Sequence, residues 1–322
     1  GAAIQRMREV TTVVLDKTGT ITKGQPGVTD TVSWSDYPEN EIVRIAASVE
    51  QHSEHPLGEA IVNHAEDNDW TMDETRQFEA ITGKGVKATW NEMTVLVGTE
   101  RLLDEHDITL TEDQKQNIRS LEDQGKTVMS VAVNGKAVGL IAVADTLKAD
   151  SRSAIEQLKA FGIEPVMMTG DNERTAKAVA GEVGIERVIA GVLPDQKSSE
   201  IKDLQERGEV VAMVGDGIND APALTQADVG LAIGSGTDVA IEAGDIVLVK
   251  GDLSAAVKAV KLSNATFTKI KQNLFWAFFY NVVMVPLAIL GMMHPVLAEI
   301  AMAFSSINVV FNSRRLNSVK LD

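Results

Sequence analysis

Three aspartates follow short apolar runs: Asp16 closes "VTTVVLD", Asp171 follows "IEPVMMTG" and Asp216 follows "GEVVAMVG". A carboxylate held at such a point can attack a phosphoryl group, and the aspartyl phosphate that forms splits one hard transfer into two easier ones. Asp16, with Lys17, Thr18 and a glycine directly after it, is the candidate nucleophile. Attack on a polyphosphate such as ATP brings anions together, so a divalent cation and fixed donors must offset the developing charge. Asp216 and Asp220 offer hard oxygens suited to magnesium, and the carbonyl of Thr18 offers another. Thr169 and Gly170 bring a hydroxyl and backbone amides, Lys197 in "PDQK" a point charge, and Asn219 a further donor. Singly each has a plain structural explanation, since an Asp-Gly pair is usually a turn and a lysine near a helix start is usually solvated. Their recurrence at the ends of apolar runs is what points to one site.

The elements that must hold these groups follow from the patterning. "VTTVVL", "IEPVMM" and "GEVVAMV" lack alternation and read as strands buried on both faces. "SRSAIEQLKAFG" and "NERTAKAVAGEVG" read as helices capped by Gly162 and Gly184, and "DQKSSEIKDLQERG" as a third. Alternating strands and helices predict a parallel sheet, whose ligands bind beyond the carboxyl ends of its strands. Between residues 28 and 142 the rhythm changes. Asp36 is a candidate cap for one helix, Thr111 and Gln114 form a capping box for another, and Asn134-Gly135 marks a two-residue hairpin turn. The expected division is therefore an α/β parallel-sheet domain in two parts, 1–27 and 143–264, an inserted α+β domain over 28–142, and a C-terminal segment over 265–322.

The chain has 322 residues, no cysteine, and 46 acidic against 30 basic residues, a net charge of −16. That balance disfavours nucleic acid as a partner. From Asn273 to Asn312 the only formal charge is Glu299. "NLFWAFFYNVVMVPLAILGMM" has the length of a membrane-crossing helix, and "VLAEIAMAFSSINVVF" is a shorter partner across the tight turn "MMHP". Lys269 and Lys271 precede the pair and Arg314 and Arg315 follow it, which places both ends in the cytoplasm by the positive-inside rule. A transmembrane hairpin in a lipid bilayer is expected, and a buried helical hairpin in a soluble core is its alternative. The abrupt opening "GAAIQRMREV" is expected of a fragment.

"DKTGTIT", "MTGDN", "PDQK" and "VGDGINDAPAL" resemble the phosphorylation-domain motifs of the P-type ATPases, ion pumps built on a haloacid-dehalogenase-like fold. The resemblance implies that ATP phosphorylates Asp16. It further implies that Lys17 and Thr18 lie beside it, that Thr169, Asp171 and Lys197 contact phosphate or stabilise the closed site, and that Asp216, Asn219 and Asp220 serve magnesium. "SEHPLG" is similar to a marker of the heavy-metal subclass, and the insertion to that family's nucleotide-binding domain. By that likeness His55 lies near the adenine, Glu50 hydrogen-bonds it, and Gly83, Gly85 and Gly98 line the pocket. Glycine does permit close approach to a ligand, while His55 before a proline is equally explained as a helix-start residue. His52, His64 and His106 have only surface or core roles.

Polar groups in a span are costly unless they pack or bind something. Tyr280 and Asn281 are adjacent in the first expected span, and Met302 and Ser306 share a helix face in the second. A thioether selects copper(I), but tyrosine as an interface anchor, methionine as a gap filler and serines as packing residues serve as well. The resemblance, "YN" and "MxxSS", favours copper(I)-transporting pumps and puts Tyr280, Asn281, Met302 and Ser306 in the ion pathway. Zinc pumps of the subclass are expected to carry a lysine and an aspartate in these spans, and neither is here. The implied setting is a prokaryotic plasma membrane with the catalytic domains in the cytoplasm, and a copper chaperone as a possible partner. The competing readings are a zinc pump, a soluble phosphatase of the same superfamily, and a non-catalytic nucleotide-binding membrane subunit. Thr18 stands where such a phosphatase carries its second aspartate.

Overall fold

The fold is taken from a computed structural model that describes residues 2–216, 218–234, 238–249, 251–291 and 295–318. Gly217, beside Asp216, and Met292, Met293 and His294 of the expected turn lie outside them. Twelve strands are described, in chain order: β1 Thr12–Asp16, β2 Thr22–Ser33, β3 Thr75–Ile81, β4 Gly85–Trp90, β5 Met93–Gly98 and β6 Thr127–Val133. The rest are β7 Lys136–Leu147, β8 Glu164–Met168, β9 Arg187–Ile189, β10 Val211–Gly215, β11 Val229–Ile233 and β12 Ile246–Leu248.

They form two sheets. The first is parallel, in the order β12-β11-β10-β1-β8-β9, with β1 paired on both sides, Val14 opposite Met213 and opposite Val166. Every residue of β1, β10 and β11 is buried, as helices on both faces require and as their unalternating sequences predict. One core takes Val13, Leu15, Ile155 and Leu158; the other takes Val14, Val166, Ile201 and Met213. The second sheet is antiparallel, in the order β2-β7-β6-β5-β4-β3. Helices Glu39–Glu50 and Pro56–Asp67 cover one face through Ile42, Ile45, Val49 and Ile61, and Leu102, Leu103, Ile118 and Leu121 cover the other.

Positions 28 and 142 both fall inside the ribbon of β2 and β7, which pair from Thr22 opposite Leu147 to Ser33 opposite Gly139. The chain passes between the sheets along this ribbon. Local signals behave unevenly. The Thr111 and Gln114 capping box forms, Gly184 caps its helix at φ 82°, and Asn134-Gly135 turns with φ 45° and 77°. Asp36 is no cap: the helix starts at Glu39, with Pro38 before it supplying the extended backbone that the entry needs.

The helix Ser254–Ile289 is 36 residues long. A rise of about 1.5 Å per residue makes it about 54 Å. Its first turns bury Ala256, Val257 and Val260 in the core of the parallel sheet, while Leu274, Phe275, Phe278 and Val282 further on are exposed. It is long and apolar enough to cross a membrane, with Pro286 inside it. A second helix, Pro295–Arg314, packs back on it. Their polar ends are joined by Asn312 to Asn273 at 2.8 Å, Asn273 to Ser313 at 2.9 Å and Lys269 to Asn312 at 3.2 Å.

Candidate active site

Parallel strands end at one edge, so β1, β8 and β10 deliver their carboxyl-terminal residues together. Asp16 ends β1 and is 6% exposed. The chain after it turns at Thr18, which is extended, and at Gly19, whose φ of 74° is the left-handed conformation that glycine adopts without strain. Gly19 has a second reason to be glycine, because a Cβ there would fall 1.7 Å from a carboxylate oxygen of Asp216.

Lys197, at the start of helix Lys197–Glu206, is almost wholly buried. Its Nζ lies 2.7 Å from Asp16 Oδ1 and 2.7 Å from Asp220 Oδ1. Asp220 in turn accepts the Asp216 amide at 3.2 Å. Oxygens of Asp16, Asp216 and Asp220 all lie within 4.8 Å of one another. Burial, then the Asp220 carboxylate, pushes Asp16 up to about 7 against the pull of Lys197. Burial and Asp220 likewise push Asp216 up to about 6. Lys197 is held above its usual range because Asp16 and Asp220 outweigh its burial. The cluster is short of positive charge, and its donors are hard oxygens. It fits a magnesium ion by donor chemistry and by spacing.

Asp171 forms a second centre. Lys17 Nζ reaches its Oδ2 at 2.5 Å, the Thr169 hydroxyl donates to Oδ2 at 3.0 Å, and Thr127 from the antiparallel sheet donates to Oδ1 at 2.9 Å. Burial alone would raise this carboxyl; Lys17 and the two hydroxyls overcome it and hold it below the usual range. Gly170 is exposed, with the Val192 carbonyl 3.5 Å from where a Cβ would lie, and Asn219 is exposed on the turn before Asp220.

The residues expected to meet a nucleotide fall into two groups. Glu50 is buried, its carboxylate against Gly58, where a Cβ would lie 2.3 Å away; burial pushes it up to about 7, with Ser53 opposing. His55 caps helix Pro56–Asp67 by accepting the Leu57 amide at Nδ1, 3.2 Å away. It is at the surface, yet the surrounding protein lowers its pKa while Asp171 pulls the other way. In the second group Gly85 and Gly98 pack on each other, a Cβ on Gly85 lying 2.6 Å from Gly98 Cα and 2.1 Å from Val97 O. Their need for glycine thus has a cause within the sheet. Gly83, at φ 70°, abuts Leu193, four residues before Lys197, so this loop faces the segment that carries Lys197.

In the hairpin the four expected pathway residues have separate surroundings on the two helices. Tyr280 bonds Asn308 at 3.3 Å, Asn281 bonds back to the Ala277 carbonyl at 3.0 Å, and Met302 and Ser306 are exposed.

Three residues near the catalytic edge carried no motif and were missed. Asp145 grips the connecting ribbon through Thr22 Oγ1 at 2.5 Å, the Gly24 amide at 2.9 Å and the Gln25 amide at 3.1 Å. Lys148 donates to the carbonyls of Gly19 and Gly251, and Thr127 reaches Asp171 from the other sheet. For Asp145 and Lys148 the only signal was a polar break at the end of the apolar strand β7, and Thr127 opens β6 with none.

The model of the haloacid dehalogenase-like hydrolases matches residues 10–228. A "Copper-exporting P-type ATPase" of Staphylococcus aureus is 48% identical over 322 residues, all of this chain and 40% of the relative. The one from Staphylococcus epidermidis is 48% identical over 321 residues with the same share. The chain thus spans about two fifths of the length of these relatives. Among solved structures, a zinc-transporting PIB-type ATPase in its E2.Pi state matches with TM-score 0.71 and 38% identity, over 98% of this chain and 51% of that one. The catalytic domain of the CPx-ATPase CopB-B matches with TM-score 0.60 and 29% identity, over 77% of this chain and 87% of that one.

Proposed function

Because the chain belongs to the haloacid dehalogenase-like hydrolases and, among them, to the heavy-metal P-type ATPases, we propose that it is the catalytic part of an ATP-driven copper(I) exporter. The observation that carries this reading is the buried carboxylate Asp16 at the tip of β1, paired with Lys197 at 2.7 Å and faced by Asp216 and Asp220.

In this reading Asp16 attacks the γ-phosphorus of ATP; the new O–P bond forms as the bond to the β-phosphate oxygen breaks, and ADP leaves. Lys197 moves its charge from the bare carboxylate to the transferred phosphoryl oxygens. A magnesium ion, held by Asp16, Asp216, Asp220 and the Thr18 carbonyl, would neutralise the charge spread over those oxygens. Lys17, held by Asp171, and the Thr169 hydroxyl with the Gly170 amide line the approach, and Asn219 contributes a donor. Glu50 and His55, with the Gly83, Gly85 and Gly98 loops, bind the nucleotide in the domain proposed to span 28–142. Thr18 supplies no acid to hydrolyse the intermediate promptly, which suits a pump whose phosphoenzyme must persist. Tyr280, Asn281, Met302 and Ser306 are proposed ligands of the transported ion, joined by residues from the rest of the pump. The hairpin lies in a lipid bilayer, the plasma membrane of a prokaryote, with both sheets in the cytoplasm.

The zinc-transporting structural neighbour supports a second reading, in which the cargo is zinc. Phosphorylation of Met302→Ala by ATP separates the two. Copper-stimulated labelling weakened by this change supports copper(I), and labelling that follows zinc and ignores Met302 supports the other.

A further inference from the structure

We propose that Lys148 and Asp150 are positioning residues that tie the loop after Asp16 to the helix entering the membrane, and so carry the ion's influence to the phosphorylation site. This rests on the pump reading above. After β7 the chain runs Lys148-Ala149-Asp150-Ser151. The partly buried Lys148 ammonium donates to the carbonyl of Gly19, three residues past Asp16, and at 2.8 Å to that of Gly251, three residues before the long helix. The Lys148 amide and the Ser151 hydroxyl both bind the Ile21 carbonyl, at 3.0 and 2.7 Å. Asp150 Oδ2 accepts the Ser254 amide at 2.8 Å, one of the first-turn donors that have no partner inside a helix. Three of these four residues, Lys148, Asp150 and Ser151, therefore hold the catalytic loop at one end and the start of the helix at the other.

Packing makes this link stiff. Helix Ser151–Ala160 buries Ala154, Ile155 and Leu158 in the same core as Ala256, Val257 and Val260 of the long helix. At the other end Gly19 is pressed against the Asp216 carboxylate with no room for a methyl group. A movement of the helix start is transmitted through Gly251, Lys148 and Gly19 to Asp216, because close-packed contacts switch between arrangements instead of yielding gradually. The helix then continues unbroken to Tyr280 and Asn281. A residue that merely stabilised the fold would not distinguish ion-stimulated from unstimulated phosphorylation; a coupling residue would.

The test uses the full-length pump in lipid vesicles, as wild type, Lys148→Met, Lys148→Arg and Asp150→Ala. Asp16 labelling by ATP is measured with and without copper(I), together with the affinity for a fluorescent ATP analogue. The expected result is that Lys148→Met and Asp150→Ala leave nucleotide affinity within about twofold but cut copper stimulation by about tenfold, inside the usual range of coupling between sites. Lys148→Arg, which can still donate to both carbonyls, keeps most of it. Unchanged stimulation in Lys148→Met and Asp150→Ala overturns the proposal, as does a loss that tracks nucleotide affinity or thermal stability. If Lys148→Met fails to fold, Asp150→Ala, which removes only the acceptor at Ser254, decides alone. A wild type that takes no label with copper defeats the pump reading instead, which sets the two failures apart.

Discussion

At the scale of single residues, charge balance decides most of what the site can do. Lys197 lies within hydrogen-bonding distance of Asp16 and is shared with Asp220. Replacing it by methionine leaves buried carboxylates without that partner, a change that typically costs about 3–5 kcal/mol. Lys197→Met should therefore unfold at lower temperature without magnesium, and calorimetry should show a larger rise on adding magnesium than in the wild type. Glu50 gives a pH prediction of definite sign. Its folded pKa of about 7 lies above its ordinary value of 4.5, so between those limits the folded state binds more protons than the unfolded one. Stability must then fall as pH rises through that window and stay low above it. Glu50→Gln should remove about 1–3 kcal/mol of that fall, read as the difference between the two proteins' urea midpoints at pH 5 and pH 8. Asp16 and Asp216 were legible because apolar runs announce strand ends, and Lys197 and Asp220 because they stand in the short motifs "PDQK" and "GDGIND". Lys148 and Asp145 were not, because their targets, mostly backbone carbonyls and amides, are more than a hundred residues away and leave no mark in a sequence.

At the scale of elements, the parallel sheet was readable from unalternating strands and glycine-capped helices, since both signals are local. The antiparallel sheet was less so. Its edge strand β2 carries Gly24, Pro26 and Gly27, which read as loop, and it forms because β7 and Asp145 hold it in register. Gly85 and Gly98, expected to line the nucleotide pocket, are also required as glycine by the sheet itself. Gly98→Ala would put a Cβ 2.2 Å from the Lys84 carbonyl and 2.9 Å from Gly85 Cα. Overpacking of this kind costs about 1–3 kcal/mol, so Gly98→Ala should lower the urea midpoint even with no nucleotide present. An unchanged midpoint would return both glycines to a purely ligand-facing role. In the hairpin, the join near its base predicts that Asn273→Ala and Asn312→Ala lose stability together and not additively, because the two amides bond each other at 2.8 Å. A double-mutant cycle on thermal unfolding in detergent checks this.

At the scale of the whole molecule, two sheets and a long helix are joined into one path. The antiparallel sheet and the helix Glu112–Glu122 before β6 meet the carboxyl edge of the parallel sheet through Thr127 and Asp171, Asn172 and Glu122 at 2.7 Å, and Arg174 and Asp123 at 2.9 Å. The exposed Arg174 pair contributes little, while the partly buried Thr127 bond brings the inserted sheet to the carboxylate that holds Lys17. From the other side the long helix grows out of the same core and then exposes Leu274, Phe275, Phe278 and Val282. This much apolar surface should make the chain partition into liposomes, whereas removing residues 273–322 should leave it in the aqueous phase after flotation. The central claim is that Asp16 accepts the phosphoryl group of ATP under control of copper(I). The measurement is acid-quenched labelling of the full-length pump with γ-labelled ATP, with and without copper(I), in the wild type and Asp16→Asn. Hydroxylamine-labile label on Asp16 that rises with copper and vanishes in Asp16→Asn is the predicted result; label that survives Asp16→Asn, or none with any metal, contradicts it.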